Sequence, residues 1–110
     1  MSLPDLAAVT GFQWDAGNAR KNEKHGVSQA EAEQVFLNQP LLLAEDPMHS
    51  QMESRHDALG RTDAGRPVHV AFTLRAGGSL IRVISARPMS RKERQAYARQ
   101  EIEGAPPLPQ

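Results

Sequence analysis

The side chains in this sequence that could do acid–base or anion chemistry without a metal are Arg, Lys, His, Glu and Tyr. The candidates are Lys24, His25, Glu53, Arg55, Arg82, Arg87, Arg91, Arg94 and Tyr97. Metal-free cleavage of RNA needs only such groups. A base withdraws the 2′-hydroxyl proton, an acid protonates the departing 5′-oxygen, and cations stabilise the pentacoordinate phosphorane. Arg55, Arg82, Arg87, Arg91 and Arg94 could supply the cations, Glu53 or His25 the base, and Tyr97 or Lys24 the donated proton. Spacing alone does not choose among them.

Other chemistries find little support. There is no cysteine, which excludes disulfide scaffolds, Cys-ligated zinc and thiol nucleophiles. There is no Gly-x-Ser-x-Gly elbow, no Gly-rich phosphate loop and no His-Glu-x-x-His. His25, His49, His56 and His69 lack metal-ligand spacing; His49 and His56 with Asp46 come nearest, and they read as solvated loop residues. No metal or other cofactor is expected.

Each candidate also has a plainer reading. Lys24-His25-Gly26 fits a helix end, with cations complementing the dipole and glycine in the left-handed region. Arg55 fits an edge pair with Glu53 or Asp57, worth at most about 1 kcal/mol. Arg87, just before Pro88, fits a strand terminus. Arg82 is the hardest to dismiss, because a charge between Ile81 and Val83 in mid-strand must find a partner or a cleft. Trp14, Phe36 and Phe72 read as core rather than as platforms for stacked bases.

The elements that must position these residues are legible from caps, turns and periodicity. Phe12 and Trp14, alternating with Gln13 and Asp15, predict a short first strand. Asp15 can cap a helix over 16–25 that Gly26 terminates. Ser28-Gln-Ala-Glu31 is a capping box opening a second helix, which buries Ala32, Val35 and Phe36 and stops before Pro40. Residues 41–44 predict a short buried strand, followed by a turn at Glu45-Asp46-Pro47 and a polar loop to about residue 53. Strands over 55–61, 68–74 and 80–87 then follow as a meander, joined by turns at 62–65 and 76–78. Val68, Val70, Phe72 and Leu74 alternate onto one face. In the last strand, strict alternation puts Ile81, Val83 and Ser85 on one face and Leu80, Arg82 and Ile84 on the other. Ser90-Arg-Lys-Glu93 is a second capping box, opening a helix to about residue 103. The predicted order is β-α-α-β-β-β-β-α, an α+β architecture with two leading helices, an antiparallel meander and a terminal helix packed on it.

The chain has 110 residues, enough for one domain with one modest core. Residues 1–10 read as a flexible leader, 11–103 as the single domain, and 104–110, with three prolines, as a disordered tail. The longest uninterrupted aliphatic run is Leu41 to Ala44, far short of the roughly 20 residues of a membrane helix. The first ten residues carry Asp5 and no basic residue, so they do not read as a secretory signal, and a cytoplasmic location is expected. The net charge of zero hides an asymmetry: residues 1–60 hold four basic and nine acidic side chains, and residues 61–99 hold nine basic and two acidic. An Arg-rich half suggests an anionic partner, a nucleic-acid backbone or an acidic protein, unless the fold intermixes the two halves.

Taken together, the motifs resemble the BrnT family of toxins. Phe12-Gln-Trp-Asp15, Asn22-Glu-Lys-His-Gly-Val-Ser28 and Ala32-Glu-Gln-Val-Phe36 are similar to the family's opening. Glu53-x-Arg55, Leu59-Gly60, Val70-Ala-Phe-Thr73, Ile81-Arg-Val-Ile-Ser-Ala-Arg87 and Arg91-Lys-Glu-Arg-x-Ala-Tyr97 follow its order and spacing, so the resemblance spans about residues 11–99. His56-Asp57, where relatives often carry hydrophobic residues, and Pro88-Met89 depart from the pattern without removing a motif residue.

The resemblance implies a RelE-like fold and a metal-independent ribonuclease toxin of a type II toxin–antitoxin pair. Its partner would be a BrnA-like ribbon-helix-helix antitoxin, and operator DNA would be reached only through that antitoxin. By position, the family's motif residues fall on Lys24, His25, Glu53, Arg55, Arg87, Arg94 and Tyr97. Arg55 and Arg87 would hold the scissile phosphate with Lys24 assisting, and Glu53 or His25 would be the base. Arg82, Arg91, Arg94 and Tyr97 would contact substrate. The alternatives are a non-catalytic module binding nucleic acid or antitoxin, and a degenerate toxin surviving as half of a repressor.

Overall fold

A computed structural model describes residues 4–45 and 54–104. The elements follow the predicted order: β1 (Gly11–Gln13), α1 (Ala16–Lys24), α2 (Gln29–Leu37), β2 (Leu42–Glu45), β3 (His56–Arg61), β4 (Pro67–Arg75), β5 (Leu80–Pro88) and α3 (Arg91–Gly104). They build one five-stranded sheet in the order β1-β5-β4-β3-β2.

The helix ends are local chemistry. Asp15 Oδ1 accepts the N–H groups of Gly17 at 2.9 Å and Asn18 at 3.3 Å, capping α1. Gly26 follows α1 with φ +72°, the left-handed geometry that glycine adopts without strain. The Ser28 hydroxyl accepts the Glu31 N–H while Glu31 accepts the Ser28 N–H, each at 3.0 Å. The same reciprocal box opens α3 between Ser90 and Glu93.

The core lies between one face of the sheet and the first two helices. Val27, Ala32 and Val35 meet Ala58, Val68, Val70, Phe72, Ile81, Val83 and Ala86, all essentially without solvent contact. Phe36 stands edge-on to Phe72 with ring centroids 5.0 Å apart. Full burial of side chains of this size is worth about 1.5–3 kcal/mol each, the main source of stability. α2 crosses β3 at Gly60, where an added Cβ would lie 2.8 Å from Val35 Cγ1 and 3.1 Å from the Val35 carbonyl oxygen.

Two sequence expectations are corrected. The sheet is mixed rather than purely antiparallel: β2 to β5 form the antiparallel meander, but β1 runs parallel to β5, from Gly11↔Leu80 to Gln13↔Arg82. The chain leaves β1 through both helices and re-enters the sheet at its opposite edge. That crossover fixes the direction of β1, which three residues cannot encode.

The second correction concerns β5. Ala71 pairs with Ser85 but Phe72 pairs with Val83, so Ile84 is an extra residue, a β-bulge. Beyond the bulge the alternation inverts. Ala86, opposite Val70, is buried in the core, and Ser85 leaves the face it was expected to share with Ile81 and Val83. Arg87, opposite His69, therefore lies with Arg82 on the face away from the core.

Candidate active site

The face away from the core carries Asp57, His69, Arg82 and Arg87. Arg87 lies there with its side chain 39% exposed. Nη1 donates to Glu93 Oε1 at 2.7 Å and to the Pro88 carbonyl at 3.1 Å, and Nη2 donates to Glu93 Oε2 at 2.9 Å. Glu93 Oε1 also accepts the Ser90 N–H at 2.8 Å, so one carboxylate both caps α3 and grips the guanidinium. The Arg87 guanidinium, followed by the Ser90 N–H and the charge of His69, holds the Glu93 carboxyl down to about 2. The reciprocal bond from Glu93 raises Arg87 further, with a smaller push from Asp57.

Across the same rung of the sheet lies His69. Its Nε2 is 3.0 Å from Asp57 Oδ1 on the neighbouring strand, with His69 13% and Asp57 31% exposed. His69 Nδ1 is buried and meets no partner among the described residues. Asp57, His69, Arg87 and Glu93 thus form a charged cluster from β3, β4, β5 and α3. Sequence reasoning passed over His69 and Asp57 and read Glu93 only as a cap. The available signal was the alternation of β4, which puts His69 opposite the Val68–Val70 face, and the unusual His56-Asp57 pair.

Arg82 finds the partner that its position demanded. Nη1 and Nη2 donate to Asp15 Oδ2 and Oδ1 at 2.8 and 3.2 Å, and Nη1 reaches Gln13 Oε1 at 3.1 Å. The bond from Arg82 is the main cause of the lowered Asp15 pKa. Arg82 therefore joins β5 to β1 and to the cap of α1.

Arg55 is half-buried just before β3. The Ser54 carbonyl accepts the Thr73 hydroxyl at 2.6 Å, and Thr73 pairs with Arg82. This places Arg55 near the Thr73–Arg82 rung, four residue steps of β4 from the His69–Arg87 rung, or about 13 Å along the strand. The fold does not set Arg55 and Arg87 side by side. Glu53, like Asp46 and His49, lies outside the described residues.

Lys24 and His25 are exposed at the end of α1. The following Gly26 carbonyl accepts Arg66 Nη1 at 2.9 Å, and Arg66 leads directly into β4, whose first residues pair with the end of β5. The α1 terminus and Arg87 consequently share one end of the sheet. Arg91 is exposed in the first turn of α3. Arg94 Nη1 donates to the Met89 carbonyl at 2.8 Å. Tyr97 is 5% exposed, and its hydroxyl donates to the Pro40 carbonyl at 2.6 Å, pinning α3 to the entrance of β2.

The charge asymmetry is partly resolved by pairing between the halves: Asp15 with Arg82, Glu31 with Arg66 and Asp57 with His69. The far face carries Arg82 and Arg87, each beside a carboxylate, Asp15 and Glu93 respectively. Among the described residues no group of three His, Asp or Glu side chains is arranged to hold a metal ion. No described helix is long and apolar enough to cross a membrane.

Comparison with known proteins gives one family. The model of a family described as "Ribonuclease toxin, BrnT, of type II toxin-antitoxin system" matches residues 14–93, nearly three-quarters of the chain. No curated protein matches.

Proposed function

Since the chain belongs to the BrnT family of ribonuclease toxins of type II toxin–antitoxin systems, we propose that it is an endoribonuclease that cuts RNA without a metal ion and so arrests growth. Membership implies an RNA substrate and an antitoxin partner. We read that antitoxin as a BrnA-like ribbon-helix-helix protein that carries the complex to operator DNA and so represses the operon. The toxin would act in the cytoplasm, where its RNA is, and its fold is read as RelE-like.

The observation that carries this reading is Arg87: an arginine oriented by a carboxylate, 39% exposed, on the sheet face away from the core. In the proposed reaction the 2′-oxygen loses its proton to a base and attacks phosphorus. The P–O5′ bond breaks, and the 5′-oxygen takes up a proton as it leaves. Arg87 stabilises the charge gathering on the non-bridging oxygens, an oxyanion-type contribution of about 2.7–4 kcal/mol. Arg55 would hold the RNA at a neighbouring position with Lys24 assisting, and Glu53 or His25 is the proposed base. Arg82, Arg91, Arg94 and Tyr97 are proposed to line the substrate path.

The test is cleavage of end-labelled RNA in EDTA by the parent chain and by an Arg55→Ala, Arg87→Ala double variant. Cutting by the parent alone supports the reading. RNA left intact by both, with and without ribosomes, overturns it. A second reading, a module that binds without cutting, draws on the partners already held by Arg82, Arg94 and Tyr97. Its mark is salt-sensitive binding of RNA that stays whole.

A further inference from the structure

Arg87 has donors to spare, and their placement is informative. A guanidinium carries five N–H groups in a rigid plane. Both hydrogens of Nη1 are used, by Glu93 Oε1 and the Pro88 carbonyl, and one of Nη2 is used by Glu93 Oε2. The Nε–H and the second Nη2–H remain without a partner among the described residues. These two point the same way from one edge of the plane. That edge is the geometry that takes two oxygens of a phosphate at once.

We infer that Glu93 is a positioning residue: its carboxylate clamps the Nη1–Nη2 end of Arg87 so that the Nε–Nη2 edge is presented as a fork to the non-bridging oxygens of an RNA phosphodiester. The inference rests on the ribonuclease reading for its ligand, and it extends that reading to a residue and an edge it does not specify.

Two comparisons within the chain separate this from ordinary helix capping. Glu31 occupies the same box position in α2 and also meets an arginine, yet Arg66 offers it Nη1 alone, and that nitrogen also serves the Gly26 carbonyl. Capping therefore does not require the two-nitrogen grip seen at Glu93. Arg82 is gripped at both Nη atoms by its own carboxylate, Asp15, but its side chain is only 19% exposed, half as open as Arg87. Arg87 alone of these three combines a two-point clamp with a side chain 39% exposed and a place beside His69. Glu93 also cancels part of the Arg87 charge, so its contribution is orientation rather than attraction. Substitution should then lower turnover without weakening RNA binding.

The experiment follows the Arg87 Nε–H signal in arginine-labelled protein, assigned by its loss in Arg87→Lys, while an uncleavable 2′-deoxy oligonucleotide is added. In the parent that signal should shift on binding. In Glu93→Gln, whose amide oxygen can still accept the Ser90 N–H, it should broaden or fail to shift. In parallel, Glu93→Gln should lower kcat on RNA about 100-fold, the cost of a reacting group misplaced by about 1 Å, with KM unchanged or lower. Ser90→Ala, which weakens the same cap but leaves the clamp, should keep kcat. An unmoved Nε–H in the parent, the same shift in Glu93→Gln, or equal losses of kcat in Glu93→Gln and Ser90→Ala would each overturn the inference. A shifted signal in a protein that cuts no RNA would sink the ribonuclease reading and leave the fork standing. Cleavage with an unmoved signal would do the reverse.

Discussion

His69 and Arg87 face each other across one rung between β4 and β5, and each is held by a carboxylate from a different element. Asp57 on β3 takes His69 Nε2, and Glu93 on α3 takes both terminal nitrogens of Arg87. Four residues spanning 57 to 93 in sequence thus meet on the side of the sheet away from the core. A guanidinium held in one orientation by a carboxylate is an arrangement able to bind a phosphate.

Arg87→Ala is expected to lower RNA cleavage by a hundred- to a thousand-fold, about 2.7–4 kcal/mol of barrier, while leaving the core intact. Steady-state cleavage and thermal unfolding of the same preparation check this. A variant that unfolds like the parent and cleaves like the parent contradicts the role given to Arg87.

Stability should fall at acid pH in a window set by Glu93. Its carboxyl is lowered by Arg87 from its ordinary 4.5 to about 2, so the folded state binds its proton less readily than the unfolded chain. The stabilisation is complete above about pH 5 and disappears as pH falls towards 2. It amounts to at most about 3 kcal/mol, less where water screens the half-open Arg87. Denaturant unfolding of the parent and Glu93→Gln from pH 7 to 2 measures it. The gap between the two should close with acidification, and a constant gap would show that the ion pair contributes nothing.

Gly60→Ala should destabilise the fold by about 1–3 kcal/mol through overpacking, because the new methyl would press on Val35 Cγ1 at 2.8 Å and on the Val35 carbonyl oxygen at 3.1 Å. Pairing it with Val35→Ala, which removes the nearer contact, should recover part of that loss in equilibrium unfolding. Strictly additive effects would place the strain elsewhere.

Tyr97→Phe separates two roles for one hydroxyl. Loss of its bond to the Pro40 carbonyl should cost about 0.5–1.5 kcal/mol of stability. A purely structural hydroxyl leaves kcat unchanged at a temperature where both proteins are folded. A drop of tenfold or more in kcat would make Tyr97 part of the reaction.

Asn18→Ala tests how β1 is joined to the sheet. The buried Asn18 amide donates to the carbonyls of Gln13 at 3.0 Å and Val83 at 2.7 Å, bridging β1 and β5. Leaving such buried acceptors unpaired costs about 1–3 kcal/mol. Hydrogen exchange should quicken at β1 before it does at β3 and β4. Uniform quickening would mean that β1 opens only with the whole domain.

What the sequence determined by itself is everything set by neighbours a few positions apart. The Asp15 cap, the boxes at Ser28 and Ser90, the left-handed Gly26 and the alternation of Val68, Val70 and Phe72 each depend on residues within about one turn or one strand, and all of them formed as read. Of the site, the sequence yielded Arg87 as a cation and Glu93 as a cap. Only the tertiary structure joined the two functions of Glu93, paired Asp57 with His69 and gave Arg82 a partner 67 positions away. It also decided the direction of β1 and the bulge at Ile84, which turns Arg87 from the core side to the open face. A period of two has no term for an inserted residue, and a strand of three residues carries no signal for the direction of its partner. Both are settled by how β4 and the α1–α2 crossover pack against β5.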